Sequence, residues 1–435
     1  MEESDYVTVL GPMCQHIPGH KSMTDKGQVL DLQPAKEVYI PLVAGANTNF
    51  EILVEEGQTV AIGTKLAETK TGFYVPVYSS VSGVYKGTVK RMHSSMRPQM
   101  HMVIELDGKQ TKTQAFAPID WMTAGREDLV EFAKQAGLIG LGGAGFPTYV
   151  KYGNPSGITT VLINAVECEP YITSDYMQAM ADPADLIEGA RIMGKMAGVT
   201  DVRICIKKSH PDLISKIEQA SAGTEVTVVP VPDVYPMGWE RVLVREVLHK
   251  EYDKLPAEAG AIVNNAGTAI ELAKMVKNGE ALETKVVTVS GEAVDKPCNV
   301  RVPVGMPVEE ILDHLGLKGD EVILCAGGPM MGKAIPNNKF VIDRAMNALT
   351  VLPVNPVPAI ACLRCGSCSD HCPAGLQPVR IANALKMGDA VLMEKLGALS
   401  CIECGMCTYV CPSRIDVTEN VRKAKRTIQM KSRKK

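Results

Sequence analysis

Two rhythms of apolar and polar residues divide the chain. Between residues 38 and 85 apolar positions come in short alternating runs cut by glycine turns, which predicts strands at 38–42, 50–54, 55–60 and 61–66 and a last set within 75–85. From about residue 116 the period lengthens. Residues 127–136 put Leu129, Val130, Phe132, Ala133 and Ala136 on one helical stripe that stops at Gly137. A strand at 159–163 follows, then a helix opened by Asp182 and Pro183 and carrying Leu186, Ile187, Ala190 and Met193 inward. Strands at 202–206, 226–229 and 261–263 alternate with helices at 211–220, 238–248 and 266–276, the pattern of a parallel sheet with helices on its faces. Beyond residue 284, strands at 285–291 and 299–303, a helix at 308–315 and a strand at 321–324 give a ββαβ order that suggests a β-grasp module. Helices at 379–387 and 389–396 fill the space between two cysteine-rich runs.

The expected architecture is multidomain α/β and α+β. A β-rich domain occupies 1–115, a Rossmann-like α/β domain 116–283, the β-grasp module 284–355, a mainly α-helical cysteine domain 356–421 and a basic tail 422–435. The proline-rich stretch Asn355-Pro356-Val357-Pro358 serves as linker. Composition changes this picture little: 46% hydrophobic and 22% charged residues are ordinary for a globular protein, and a net charge of −3 gives no field that would recruit nucleic acid. No apolar run reaches the ~18–20 residues needed to span a bilayer. The first residues, Met1-Glu2-Glu3-Ser4-Asp5, lack the basic-then-apolar layout of a signal peptide. Together these lead to an expectation of a peripheral protein in a reducing cytoplasm.

The cysteines carry the strongest chemistry. Cys362, Cys365, Cys368 and Cys372 stand at spacings of three, three and four before Pro373, and Cys401, Cys404, Cys407 and Cys411 repeat the arrangement before Pro412. A disulfide framework suits a short secreted chain, and zinc sites generally draw on two separated cysteine pairs. The doubled run resembles the two-cluster ferredoxins, in which three cysteines of one run and the fourth of the other hold each 4Fe–4S cubane. That resemblance implies one cluster on Cys362, Cys365, Cys368 and Cys411, and a second on Cys401, Cys404, Cys407 and Cys372. The other cysteines (Cys14, Cys168, Cys205, Cys298, Cys325) are scattered and read as free thiols. Cys14, His16 and His20 share a short segment whose better explanation is local turn chemistry, and His93 and His101 receive no role.

The second informative stretch is Gly140-Leu141-Gly142-Gly143-Ala144-Gly145-Phe146-Pro147-Thr148. Its letters satisfy the dinucleotide fingerprint, but a helix precedes it instead of a strand, and Phe146, Pro147 and Thr148 are expected to interrupt any helix after it. What remains is a loop without Cβ atoms whose amides approach a flat or anionic ligand closely, with Lys151 nearby as a cation for phosphate.

Several segments resemble known families. The first domain is similar to biotinyl/lipoyl barrel-sandwich domains, although the segment Ser79 to Gly83, where the carrier lysine would stand, has none. The glycine loop, Asn164-Ala165-Val166-Glu167-Cys168-Glu169-Pro170 and the pair Asn264-Asn265 resemble the flavin- and NADH-binding subunit of respiratory complex I. The full domain order resembles the RnfC family of Rnf-type ferredoxin:NAD oxidoreductases.

This resemblance implies FMN and two 4Fe–4S clusters as cofactors and NAD(H) as substrate. Gly140, Gly142, Gly143 and Gly145 would line FMN, with Lys151 at its phosphate. Asn164 and Glu167 would bond the ring or ribityl chain, and Asn264 and Asn265 the phosphate end. Phe146 and Glu169 would face the nicotinamide dinucleotide, while Tyr235 belongs to the matching Tyr235-to-Glu240 motif. It also implies the other subunits of a membrane complex as partners, ferredoxin as an indirect one, and ion transport elsewhere in that complex. Two departures stand out: Val166 replaces an acid, and a single Glu240 replaces an adjacent pair. The alternatives are a soluble flavin/iron–sulfur reductase and a non-catalytic electron-relay adaptor.

Overall fold

The computed structural model of the chain describes residues 15–432; Cys14 and the basic residues Arg433, Lys434 and Lys435 lie outside them. Four units are present, in the order expected.

The β-rich unit is a sandwich. Strands Glu37–Pro41, Pro98–Leu106, Gly83–Met92 and Thr59–Val60 form one sheet, and Phe50–Ile52, Lys65–Thr69 and Pro76–Tyr78 the other. Val38 opposes Ile104 and Ile40 opposes Met102, so the alternation delivers these side chains to the core with Leu66 and Val77. The predicted strands between 55 and 66 shift to Thr59–Val60 and Lys65–Thr69. Strand Pro98–Leu106 is an addition. It lies between two neighbours and buries His101, Met102, Val103 and Ile104 in succession, which hides the two-residue alternation by which a strand is recognised.

The α/β unit carries a parallel sheet in the order Val226–Val231, Asp201–Lys207, Thr160–Ala165, Ala261–Asn265. Its strands are apolar on both faces because helices cover both. Val161 and Ile163 point into one core and Leu162 into the other. Helices Pro183–Ala197 and Ala266–Asn278 cross so closely that a Cβ on Gly189 would stand 1.8 Å from the Ala269 carbonyl oxygen. Only glycine fits there. Helix Ser174–Ala181 is an element that the sequence pattern does not announce. A further correction concerns the end of the glycine loop: Pro147 precedes helix Thr148–Tyr152 directly, because a proline missing its N–H is harmless at a helix start.

The β-grasp unit is larger than ββαβ. Its six-stranded sheet runs Leu30–Asp31, Cys298–Pro303, Thr284–Ser290, Ala348–Pro353, Val322–Ala326, Lys333–Ile335. Helix Val308–Leu315 buries Val308, Ile311, Leu312 and Leu315 against it, each such side chain contributing about 1.5–3 kcal/mol. The edge strand Leu30–Asp31 pairs in parallel with Val300 and Arg301, so the amino-terminal segment is shared between units instead of belonging wholly to the first.

In the cysteine domain, helices Ser367–Asp370 and Met406–Tyr409 each follow a glycine, Gly366 or Gly405, at φ 85° and 79°. Helices Pro378–Lys386, Ala390–Lys395 and Val417–Ser432 pack around them. The expected frayed tail is instead the end of this last helix. Its stripe Val417, Val421, Ala424 and Ile428 is buried, while Arg422 and Lys425 pair with Glu403 at 3.1 and 2.8 Å. Among the described residues no helix is long and apolar enough to cross a membrane.

Candidate functional site: a three-domain cavity beside a buried cysteine quartet

The glycine loop folds back on itself: the Gly140 amide donates to the Phe146 carbonyl at 2.8 Å, and the Gly145 amide to the Gly140 carbonyl at 3.1 Å. Leu141 N–H donates to Thr268 Oγ1, which pins the loop over the first turn of helix Ala266–Asn278. Asn265 caps that helix by accepting from Thr268 N–H, and donates from Nδ2 to Asp175. A Cβ on Gly142 would stand 2.8 Å from Asn265 Nδ2, whereas Gly143, at φ 107°, faces open space. That open space is part of a cavity of about 680 Å³, a volume usual for small-molecule and cofactor sites.

The cavity has three walls. The α/β unit supplies Gly142, Gly143, Gly145, Asn164, Glu167, Cys168, Glu169, Asp175, Trp239 and Asn265. The β-grasp unit supplies Gly327, Gly328, Met331, Lys333 and Arg344, and the sandwich Pro41, Gly45, His93 and Ser94. Seven of the twelve cofactor residues expected from sequence therefore stand on the wall. The other five (Gly140, Phe146, Lys151, Tyr235 and Asn264) do not.

Their actual contacts explain why. Phe146 meets Phe73 of the sandwich edge-on, with ring centroids 5.5 Å apart. Lys151 is buried and donates to the Val263 carbonyl at 2.6 Å; desolvation lowers its pKa. Asn264 donates to the buried Tyr152 hydroxyl at 2.6 Å. Tyr235, which precedes a cis proline, donates to the Cys404 carbonyl at 2.6 Å.

The loop from Glu167 to Ile172 is held in an unusual shape. Glu167 and Tyr171 adopt φ 42° and 66°, uncommon for residues with side chains. Lys21, from the amino-terminal segment, donates to the carbonyls of Glu167, Glu169 and Ile172. Burial lowers its pKa to about 8, the two glutamates opposing the shift. The Glu167 carboxylate accepts from the amides of Asp175 (2.8 Å) and Tyr176 (3.3 Å), capping helix Ser174–Ala181. Glu169 Oε1 accepts from the amides of Met330 and Met331 at 2.7 and 2.9 Å, across to the β-grasp unit. Gly328 is forced by this approach, since a Cβ there would lie 2.0 Å from Glu169 Cγ. Burial raises the Glu169 pKa; burial and then Glu167 raise that of Asp175 to about 7. His16 and His20 have local partners: His16 Nδ1 sits 3.0 Å from the Asp233 carbonyl and His20 stacks on Tyr171 at 4.5 Å.

The residues fit a bound flavin nucleotide in three respects. The loop leaves a backbone surface that a ring can approach, the N-terminus of helix Ala266–Asn278 abuts it, and Glu169 Oε2 and Trp239 Nε1 are enclosed without a protein partner.

Directly beyond the Glu169 wall, Tyr235, Met330, Met331, Cys404 and Met406 pack together with Cys168 and Ile17. On the far side of this seam, Cys372, Cys401, Cys404 and Cys407 surround one small enclosed space with Pro373, Gly405 and Thr418. Cys372 comes from the first run and the others from the second, the crossed grouping expected of paired cubanes. Ile360 N–H and the Ala361 carbonyl bond Ser413, which joins the start of the first run to the end of the second. Among the described residues no group of three or more His, Cys, Asp or Glu converges on a single-ion site.

Residues 14–109 match the RnfC barrel sandwich hybrid domain, 133–274 the Nuo51 FMN-binding domain, 286–334 the SLBB domain and 357–412 the 4Fe–4S dicluster domain. The RnfC-type component of a proton-translocating ferredoxin:NAD(+) oxidoreductase complex from Clostridium ljungdahlii is 31% identical over 79% of this chain and 77% of its own length. This chain belongs to the RnfC family of ion-translocating oxidoreductase complexes.

Other members, named as parts of ion-translocating oxidoreductase complexes, are those of Vibrio cholerae (31% identity, 83% of this chain, 48% of the relative) and Erwinia tasmaniensis (32%, 86% and 48%). The chain thus spans about half the length of these relatives. An air-oxidized NAD+-reducing [NiFe]-hydrogenase structure shares the fold at TM-score 0.50 and 18% identity, over 70% of this chain and 63% of that one. The four matched domains are those expected from sequence, FMN-binding and 4Fe–4S domains included. Sequence reasoning missed Asp175, Trp239, Met331 and Arg344. The first two sit near recognised motifs, but nothing local marks Met331 or Arg344 as cavity residues.

Proposed function

We propose that this RnfC-family chain exchanges electrons with NAD(H) at the three-domain cavity and passes them through two 4Fe–4S clusters to other subunits of a membrane-bound ferredoxin:NAD oxidoreductase. The observation that carries this reading is the shared wall: Cys168, Glu169 and Met331 line the cavity, and Cys168 and Met331 also pack in the seam that holds Cys404. FMN, when bound, supplies the junction between two-electron nicotinamide chemistry and one-electron iron–sulfur chemistry.

The chain's own residues do the rest. Gly142, Gly143 and Asn265 form the cradle, and Glu167 fixes the first turn of helix Ser174–Ala181. Glu169 ties the cavity wall to the Met330–Met331 hairpin, and Tyr235 ties the α/β unit to the Cys404 carbonyl. Cys372, Cys401, Cys404 and Cys407 hold the inner cluster. Cys362, Cys365, Cys368 and Cys411 hold an outer one, where exposed Cys362 and Cys365 stand beside exposed Ile360 and Leu363. Electrons leave through that face to the next protein of the assembly, and ferredoxin reacts elsewhere in the complex. The chain docks at the cytoplasmic face of the membrane.

The test is an anaerobic absorbance spectrum with iron and flavin quantified, before and after NADH. Bound flavin that bleaches on NADH addition, followed by loss of iron–sulfur absorbance, supports the proposal. Flavin that NADH leaves oxidised reduces the chain to a relay adaptor, and zinc at the thiols without flavin removes the reading altogether. Comigration with membranes separates it from a soluble reductase.

A further inference from the structure

The cavity is polarised. Glu167, Glu169 and Asp175 stand on the α/β wall, whereas the β-grasp wall opposite presents Arg344 and Lys333. We propose that Arg344 and Lys333 form an anion pole that binds the phosphate group of the nucleotide in this cavity. The inference deepens the function proposed above and rests on it. Neither residue lies within the stretch matched to the FMN-binding domain, which ends at 274, and Arg344 also lies beyond the SLBB match, which ends at 334.

Four observations support the assignment. First, Arg344 Nη1 donates to the Pro76 carbonyl at 3.0 Å, while Nη2 is enclosed and has no acceptor. A guanidinium held with an unanswered N–H is costly, and a phosphate oxygen answers it with a charge-assisted bond of matching fork geometry. Second, the neighbouring acid does not answer it by hydrogen bonding. Asp343 already accepts from Ser94 Oγ and from the amides of Ala345 and Met346 at 2.8 and 2.9 Å, and lies 3.4 Å from His93 Nε2.

Third, the pole adjoins the glycine loop: a Cβ on Gly145 would stand 3.5 Å from that of Ala345, the residue after Arg344. The amides of Gly142, Gly143 and Ala144 in that loop donate to no acceptor among the described residues. Fourth, the cation expected for the phosphate from sequence, Lys151, has its ammonium on the Val263 carbonyl and off the cavity wall. Lys333 is exposed at the cavity and has no ion-pair partner among the described residues. Burial lowers the Arg344 pKa to about 10, against the pull of Asp343, which leaves it a cation at neutral pH.

The phosphate can belong to FMN or to the pyrophosphate of NAD(H). Full-length protein freed of flavin is titrated with FMN, with riboflavin (the same ring and chain without phosphate) and with NADH, following flavin fluorescence and heat. Arg344→Gln is expected to weaken a phosphate-bearing ligand about tenfold or more while riboflavin binds as before, as for loss of a charged hydrogen bond. Lys333→Gln, on an exposed side chain that folding does not need, is expected to weaken the same ligand about two- to threefold.

Selective loss of FMN assigns the pole to the flavin phosphate. Selective loss of NADH assigns it to the dinucleotide pyrophosphate. Unchanged affinity for both ligands in both variants overturns the proposal and leaves the nucleotide cavity standing; so does equal loss of riboflavin and FMN with NADH unaffected. A wild-type protein that binds none of the three overturns the underlying functional reading as well.

Discussion

The two cysteine runs have one local geometry and two environments. Arg364 and Glu403, at matching positions, both have φ 57°, and their amides donate to Cys362 Sγ and Cys401 Sγ at 3.4 and 3.3 Å. A positive-φ glycine and a single helical turn follow in each. Yet Cys362 and Cys365 are exposed, while Cys372, Cys404 and Cys407 are buried. The second run is pressed against the cavity wall through Tyr235 and Met330, and the first faces outward. Spacing thus sets the ligand chemistry of each run, and what packs against it sets its place in the relay.

Breaking the inner run should have the largest effect. Cys404→Ser removes a ligand beside the seam, so bound iron should fall by about half and NADH should no longer reduce the outer centre, as followed by iron assay and electron paramagnetic resonance. Cys365→Ser should also lower iron by about half, yet leave NADH reduction of the inner centre intact.

A paired glycine substitution separates the environments more finely. A Cβ on Gly405 would lie 2.5 Å from the Met330 carbonyl oxygen, whereas one on Gly366 would meet only Asp370 Oδ2 at 3.7 Å. Both alanine variants carry the cost of a left-handed backbone, about 1–2 kcal/mol. Gly405→Ala alone should slow passage from cavity to inner centre, measured by rapid mixing with NADH. Tyr235→Phe, which removes the hydroxyl donated to the Cys404 carbonyl, should shift the inner potential and leave the outer one where it was.

The smallest effect is expected at Glu403, which the first run replaces with Arg364. Burial pulls its pKa up, but Lys425 and Arg422 outweigh that and hold the carboxyl below its usual value. The contribution of this half-exposed, screened group, about 0.5 kcal/mol, is present above the unfolded value near 4.3 and disappears as pH falls through the folded one. Glu403→Gln should therefore flatten the acid limb of the stability profile measured by urea unfolding, and change little at pH 7.

These results follow from what a sequence can and cannot express. Cysteine spacing, the Leu162-centred strand, and the stripe from Val308 to Leu315 are local patterns, and each appears in the fold as expected. The glycine loop was legible as a ligand loop for the same reason. The opposite wall was not, because His93, Met331 and Arg344 reach the cavity from two other units and carry no motif. Lys151 and Asn264 had suitable chemistry, but the Val263 carbonyl and the Tyr152 hydroxyl occupy them. The basic run from Arg422 read as a tail because its charges are conspicuous and its buried stripe is sparse. Deleting residues 422–435 would therefore unseat Ala424 and Ile428 as well as remove charge, and Lys423→Gln is the cleaner probe of membrane docking.

The most direct measurement is rapid anaerobic mixing of NADH with the Cys404→Ser protein, reading the spectrum of the centre held by the first run. A route that enters through Cys404 and its partners predicts that this centre stays oxidised while bound flavin bleaches. Its reduction at the wild-type rate would mean that electrons reach the outer thiolates without crossing the inner ones, contrary to the order proposed.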